Sequence, residues 1–119
     1  MKIYISLPIK SYEKSVRARY DKAIEEIKSK YPDAEICGPT NINDFSDNGL
    51  DPNAPVHDWS WHLGEDIKDL LNCDMIYLCR GWKYSKGCLT ERAVAIENDI
   101  EVVTAPFASE RIGIYNYTA

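Results

Sequence analysis

The 119-residue sequence has no C-x-x-C pair, no apolar run near the roughly 20 residues that span a bilayer, and no excess of positive charge. Each absence excludes a class of protein. Its four cysteines, Cys37, Cys73, Cys79 and Cys88, match neither a zinc spacing nor a dithiol motif, so they read as reduced structural thiols, and neither a metal nor a cofactor is expected. A net charge of -5 argues against a general binder of nucleic acid, because affinity for the phosphate backbone needs clustered Lys and Arg; a local basic patch is still allowed. No charged-then-apolar leader precedes the first structured residues, and there is neither an internal repeat nor a low-complexity tract. The expectation is a single cytoplasmic domain with no membrane and no nucleic acid polymer as partner.

What is present is an alternation of strand-like and helix-like segments. Lys2 to Ser6 is a β-rich apolar run that ends near Leu7 at a proline and a polar patch. From Ser11 onward, Val16, Tyr20, Ala23, Ile24, Ile27 and Tyr31 recur at three- and four-residue spacing up to Pro32, which predicts an amphipathic helix of about five turns. Ala34 to Cys37 reads as a short second strand. The stretch from Gly38 to Trp59 is rich in Asn, Asp, Ser, Gly and Pro and reads as a long loop over the site. Ser60 is placed to cap a helix carrying Leu63, Ile67, Leu70 and Leu71. Met75 to Cys79 has the character of a strand buried on both faces, Gly87 to Asn98 is helical, and Ile100 to Thr104 is a last strand. This order predicts an α/β fold, a parallel sheet with helices on both faces. Ligands of such sheets bind beyond the carboxyl ends of the strands, so the loops after Ser6, Cys37 and Cys79 should meet at one rim.

Glu91 is the first candidate for chemistry. Helical side chains lean toward the N-terminus, and four positions earlier stands Gly87, which leaves the space in front of the carboxylate clear. The stripe Leu89, Ala93 and Ile96 is expected to face the sheet, with Glu91 on a sheltered flank. Ser85, Lys86 and Gly87 open this helix and suit an anion, with Lys10 adding charge, although a serine cap before a glycine turn explains the same residues. Six residues of helix rise about 9 Å, the order of separation between a 5′-phosphate and an anomeric carbon.

Asp66 lies on a flank of its helix that can face the strand ends, and Asp74 sits at a helix-to-strand junction where an Asx turn is the competing reading. Tyr4, on the first strand, is either a core tyrosine or the hydroxyl that orients a carboxylate. Around the long loop, His57, Trp59, Trp61 and His62 offer stacking surface for a base or anchor the helix start. Trp82 and Ser6 complete the residues assigned to the substrate.

The segment CDMIYLCRGWKYSKGCLTERAVA, preceded by GEDIKDLL and with IYISLPI at the start, resembles a small domain family of unknown function related to the nucleoside 2-deoxyribosyltransferases. It is also similar to the deoxynucleoside 5′-monophosphate N-glycosidases. The resemblance implies a single Rossmann- or flavodoxin-like domain over residues 1–119. It implies Glu91 as a nucleophile at the anomeric carbon, Asp66 as the group that assists departure of the base, and Tyr4 as the residue that positions the nucleophile. By the same resemblance Ser85 and Lys10 meet a 5′-phosphate. A homodimer or larger homo-oligomer is implied too, with a neighbour's tail around Tyr115 and Tyr117 closing the pocket.

One departure stands out. Where the glycosidases carry a Gly-Ser pair, this chain reads Ser6-Leu7-Pro8-Ile9-Lys10, and proline has no N–H for an oxyanion. The expected activity is cleavage of the N-glycosidic bond of a nucleoside or its 5′-monophosphate, by hydrolysis or base transfer, with a 2′-deoxy sugar preferred. A nucleotide-binding module without turnover, and cleavage of an NAD-derived or cyclic nucleotide signal, are the alternatives.

Overall fold

The computed structural model describes residues 1–9 and 14–106. Lys10 and the tail residues Tyr115 and Tyr117 lie outside the described residues, as do the first residues of the helix expected from Ser11. In chain order the elements are β1 (Lys2–Ser6), α1 (Val16–Lys30), β2 (Glu35–Cys37), a 3-10 turn (Ile42–Asp44), β3 (Phe45–Ser46), β4 (Gly49–Leu50), α2 (Trp59–Leu70), β5 (Met75–Leu78), a second 3-10 turn (Trp82–Tyr84), α3 (Lys86–Glu97) and β6 (Glu101–Thr104). Strands β2-β1-β5-β6 form a parallel sheet in that order, and with the three helices they make a flavodoxin- or Rossmann-like α/β fold.

Period-two alternation in β1 divides its side chains between two cores. Ile3 and Ile5, with Met75 and Tyr77 of β5, pack against the α1 stripe Val16, Tyr20, Ala23 and Ile27. Tyr4, with Ile76 and Leu78, faces the opposite side and packs with Leu70 of α2 and with Cys88 and Ala95 of α3. β1 and β5 are central; β5 is buried along its whole length and β1 from Ile3 onward, which explains the apolar runs Met75–Leu78 and Ile3–Ile5.

The stretch between β2 and α2 is more ordered than its composition suggests. It folds into a 3-10 turn and a two-stranded hairpin whose reversal uses Gly49 at φ 95°. Ile42 and Phe45 pin this excursion to the α1-side core. Gly38 passes so close to Tyr20 that a Cβ there would lie 2.5 Å from its ring, so any larger residue at the exit of β2 requires the end of the Tyr20 side chain to move.

Three expectations are corrected. α2 is capped by Asp58, whose carboxylate accepts from the Trp61 N–H at 2.9 Å, while Ser60 donates its hydroxyl to that same carboxylate. Leu71, expected on this helix, is its exposed C-cap. On α3 the buried positions are Cys88, Glu91 and Ala95, whereas Leu89, Ala93 and Ile96 face outward. Apolarity pointed to the wrong stripe because the inward stripe contains a glutamate. α2 repeats the pattern: its buried positions are Asp66 and Leu70.

Candidate functional site

The strand order reverses direction between β1 and β5, and a crevice opens at the carboxyl ends of strands at such a point. There the structure has a cavity of about 280 Å³. Leu7 and Ile9 reach it from the segment after β1, Pro39 and Leu50 from the excursion after β2, and Ser85 and Gly87 from the start of α3. The three predicted loops do converge. The cavity is lined by both Asp66 and Glu91, with Trp59, His62, Leu63 and Phe45 among the other walls.

Glu91 lies in the wall, 6 % exposed, with both carboxylate oxygens engaged. Tyr4 donates its hydroxyl to Oε2 at 2.6 Å and Ser6 donates its own to Oε1 at 2.7 Å. Both donors come from the face of β1 that looks toward α3, a direct result of their two-residue spacing. Burial pushes the Glu91 carboxyl up to about 7; the two hydroxyls pull it down, and Asp66 raises it further. The Tyr4 hydroxyl is held well above its ordinary value, first by burial and then by the Glu91 charge, so it remains a donor. Ser6 therefore fixes the glutamate, a different role from the substrate contact expected of it.

Asp66 is buried on α2 and accepts the backbone N–H of Thr40 at 2.8 Å. Burial raises its pKa, and the Thr40 contacts oppose the rise. The Thr40 hydroxyl in turn lies 3.2 Å from His62 Nδ1, which ties the excursion to α2 beside the carboxyl. Thr40 carried no sequence signal, because its part in the site is played by a backbone N–H. His62 stood out only as one aromatic residue of a group. Its neighbour Trp61 stacks on His57 at 3.7 Å between centroids.

The residues assigned to an anion are brought together only in part. Ser85 and Gly87 line the cavity, and the Ser85 hydroxyl accepts the Cys88 N–H at 3.2 Å as the cap of α3. A Cβ on Gly87 would meet only the Ser85 Oγ, at 3.9 Å, so the space before Glu91 is open, as its glycine suggested. Lys86 points into solvent and is absent from the cavity wall. Trp59 is 60 % exposed at the cavity's edge. Trp82 is half-buried elsewhere, packed against the α3-side core with the Arg92 guanidinium 5.3 Å from its ring centroid.

Asp74 does not belong to this constellation. Its carboxylate accepts the Lys2 N–H at 2.8 Å, and its backbone bonds to Lys2 and Glu101, at the amino ends of β1 and β6. It stitches the far edge of the sheet, because a residue that opens a parallel strand stands at the end opposite the cavity. Among the described residues no group of three or more His, Cys, Asp or Glu can hold a metal ion, and no helix is long and apolar enough to cross a membrane.

Fold and site together define a parallel α/β domain with a carboxylate-bearing cavity at its switch point. Residues 1–104 match the model of a family described as a domain of unknown function, DUF4406, and the chain belongs to that family. No curated protein matches the sequence. No solved structure matches it either.

Proposed function

We propose that this protein cleaves the N-glycosidic bond of a nucleoside or nucleoside 5′-monophosphate, with a 2′-deoxy sugar preferred, through Glu91 as nucleophile. The observation that carries the reading is the carboxylate itself: buried, facing a cavity, and held at both oxygens by Tyr4 and Ser6. A glutamate with only a structural duty is rarely placed so, since burying a carboxylate that titrates near 7 is costly.

The chemistry follows from the two carboxyls. Each Glu91 oxygen accepts one hydroxyl and keeps a further lone pair for attack. As the bond from the anomeric carbon to the base nitrogen breaks, positive charge develops on the sugar beside an anion already in place, so Glu91 is stabilised more in the transition state than in the free site. A glycosyl ester to Glu91 forms. Asp66, kept protonated to higher pH by burial, gives its proton to the departing base. Water or a second base then attacks the same carbon and releases Glu91; in hydrolysis Asp66 takes the proton back from water.

The remaining assignments belong to the same reading. Trp59 offers a stacking face at the edge of the cavity, and Ser85 with Gly87 offers the start of α3 to the sugar or its phosphate. A second copy of the chain would complete a cavity that one domain leaves open, and the setting would be cytoplasmic. The relation to the nucleoside 2-deoxyribosyltransferases is part of this proposal.

Chromatography of a panel of nucleosides and 5′-monophosphates, incubated with the protein and with Glu91→Gln, tests it. Free base should appear with the parent protein and fall to background with the variant. Binding without any released base would reassign the domain as a nucleotide-binding module, and products from NAD or cyclic nucleotides alone would redirect the substrate class.

A further inference from the structure

Two of the four cysteines lie against each other away from the cavity. Cys37 ends β2 and Cys73 lies between α2 and β5, with their sulfurs 3.0 Å apart. That separation is inside van der Waals contact and about 1 Å longer than a disulfide bond. We propose that Cys37 and Cys73 form a reversible thiol–disulfide pair, oxidised by peroxide or by a small disulfide, that locks the end of β2 to the base of α2.

The two thiols differ in a way that suits this chemistry. Cys37 is half-buried, and the hydrogen bond from Cys73, with the charge of Lys2, holds its thiol below the usual value; burial, Asp69 and Glu35 oppose. Cys73 is buried and raised, by its bond to Cys37 and then by burial. Its one S–H has two acceptors in reach, the Cys37 sulfur and the Asp69 carbonyl oxygen at 3.3 Å. Cys37 is therefore the attacking thiolate and Cys73 the resolving thiol. The other two are poor competitors, since burial pushes Cys79 up to about 12 and raises Cys88 as well.

With hydrogen peroxide the steps balance. The Cys37 thiolate attacks one peroxide oxygen, the O–O bond breaks, and a sulfenic acid forms while hydroxide leaves and takes a proton. Cys73 then attacks the Cys37 sulfur, its proton departs with the sulfenic hydroxyl as water, and the S–S bond forms. Two thiols and one peroxide give one disulfide and two waters. The bridge closes a loop over residues 38–72, which carries the hairpin, Thr40, His62 and Asp66, yet neither sulfur lines the cavity.

The test uses the full chain, treated with hydrogen peroxide, alkylated under denaturing conditions and digested without reduction. The expected result is the loss of two thiols, one linked peptide pair containing Cys37 and Cys73, alkylated Cys79 and Cys88, and a melting temperature raised by roughly 10 °C that dithiothreitol reverses. Cys73→Ser should stop at a sulfenic acid on Cys37 that dimedone captures, and Cys37→Ser should keep its three thiols at the same peroxide dose. Four intact thiols in the treated parent, a link between other cysteines, or Cys37→Ser losing thiols as fast as the parent would each overturn the pair.

Discussion

The Tyr4 hydroxyl donates to Glu91 Oε2 at 2.6 Å, joining the centre of β1 to the inner face of α3 across 87 positions of sequence. This bond spans the α3-side core and sets where the carboxylate points. It also resists, without cancelling, the burial that drives the carboxyl toward its neutral form. Glu91 is thus held in one geometry while still titrating near neutrality, a combination expected of a group that must act and not only pack.

A stability measurement should show that cost directly. Glu91 titrates near 7 in the folded protein against 4.5 for an unperturbed glutamate. Below pH 4.5 the carboxyl is neutral in both states and its full contribution is present. As pH rises the unfolded chain releases the proton first, so stability falls until about pH 7 and then levels off. Glu91→Gln removes this fall, and its stability relative to the parent should rise by about 3 kcal/mol across that interval. Urea unfolding of both proteins at several pH values checks it. Asp66, also raised by burial, adds a fall of the same sign to both curves, so the difference between them isolates Glu91. A pH-independent difference would mean that Glu91 titrates at its ordinary value.

Tyr4→Phe should move the activity profile. On a substrate whose base departs without protonation, so that Asp66 need not carry a proton, ionised Glu91 as nucleophile makes kcat/KM rise with pH through about 7, the value burial and the two hydroxyls set. The missing donor favours the neutral carboxyl, so the rising limb should shift up by about one pH unit, and kcat should drop where the limb is complete because the carboxylate is less well fixed. Ser6→Ala, which frees Oε1, should shift the limb the same way. A profile that keeps its midpoint in both variants would reduce Tyr4 and Ser6 to packing.

Much of this arrangement was legible in the sequence, and the parts that were not have physical reasons. β5 announces itself by four continuous apolar residues and β1 by the run Ile3–Ile5, and the Gly87 to Glu91 spacing pointed at a cleared carboxylate. The rotation of α3 was misread because hydropathy counts Leu89 and Ile96 as inward residues, whereas the site requires Glu91 inward and leaves those two exposed. Ser6 looked like a ligand contact because nothing local shows that a serine two residues after Tyr4 meets a partner 85 positions away. Asp74 was drawn in by chemistry alone, although its place before β5 sets it at the wrong end of a parallel sheet.

Asp66→Asn should separate leaving-group assistance from nucleophilic attack. The amide keeps the shape and can still accept the Thr40 N–H, but it has no acidic proton for the base. With a purine or pyrimidine that departs poorly, kcat should fall by about 10²–10⁴-fold, the usual worth of a positioned acid. With a substrate carrying a base that departs readily unprotonated, the fall should be much smaller. Rapid-quench measurement of base release on both substrates decides it, and an equal loss on the two would place Asp66 in a binding or structural role.

Gly87→Val tests the open space before the nucleophile. The first turn of α3 tolerates the change locally, because a Cβ at this position meets only the Ser85 Oγ at 3.9 Å and valine is at least as good a helix former as glycine. The branched side chain enters the cavity that Ser85, Gly87 and Glu91 share. Overfilling a site costs about 1–3 kcal/mol, so affinity for a nucleoside or its monophosphate should fall by about ten- to a hundredfold while the melting temperature holds or rises. Calorimetric titration and thermal unfolding on the same preparation read both quantities. Gly87→Ala, with one methyl group, should lose less affinity. Unchanged binding in the valine variant would mean that the ligand does not occupy the space in front of Glu91, and the nucleophile assignment would fall with it.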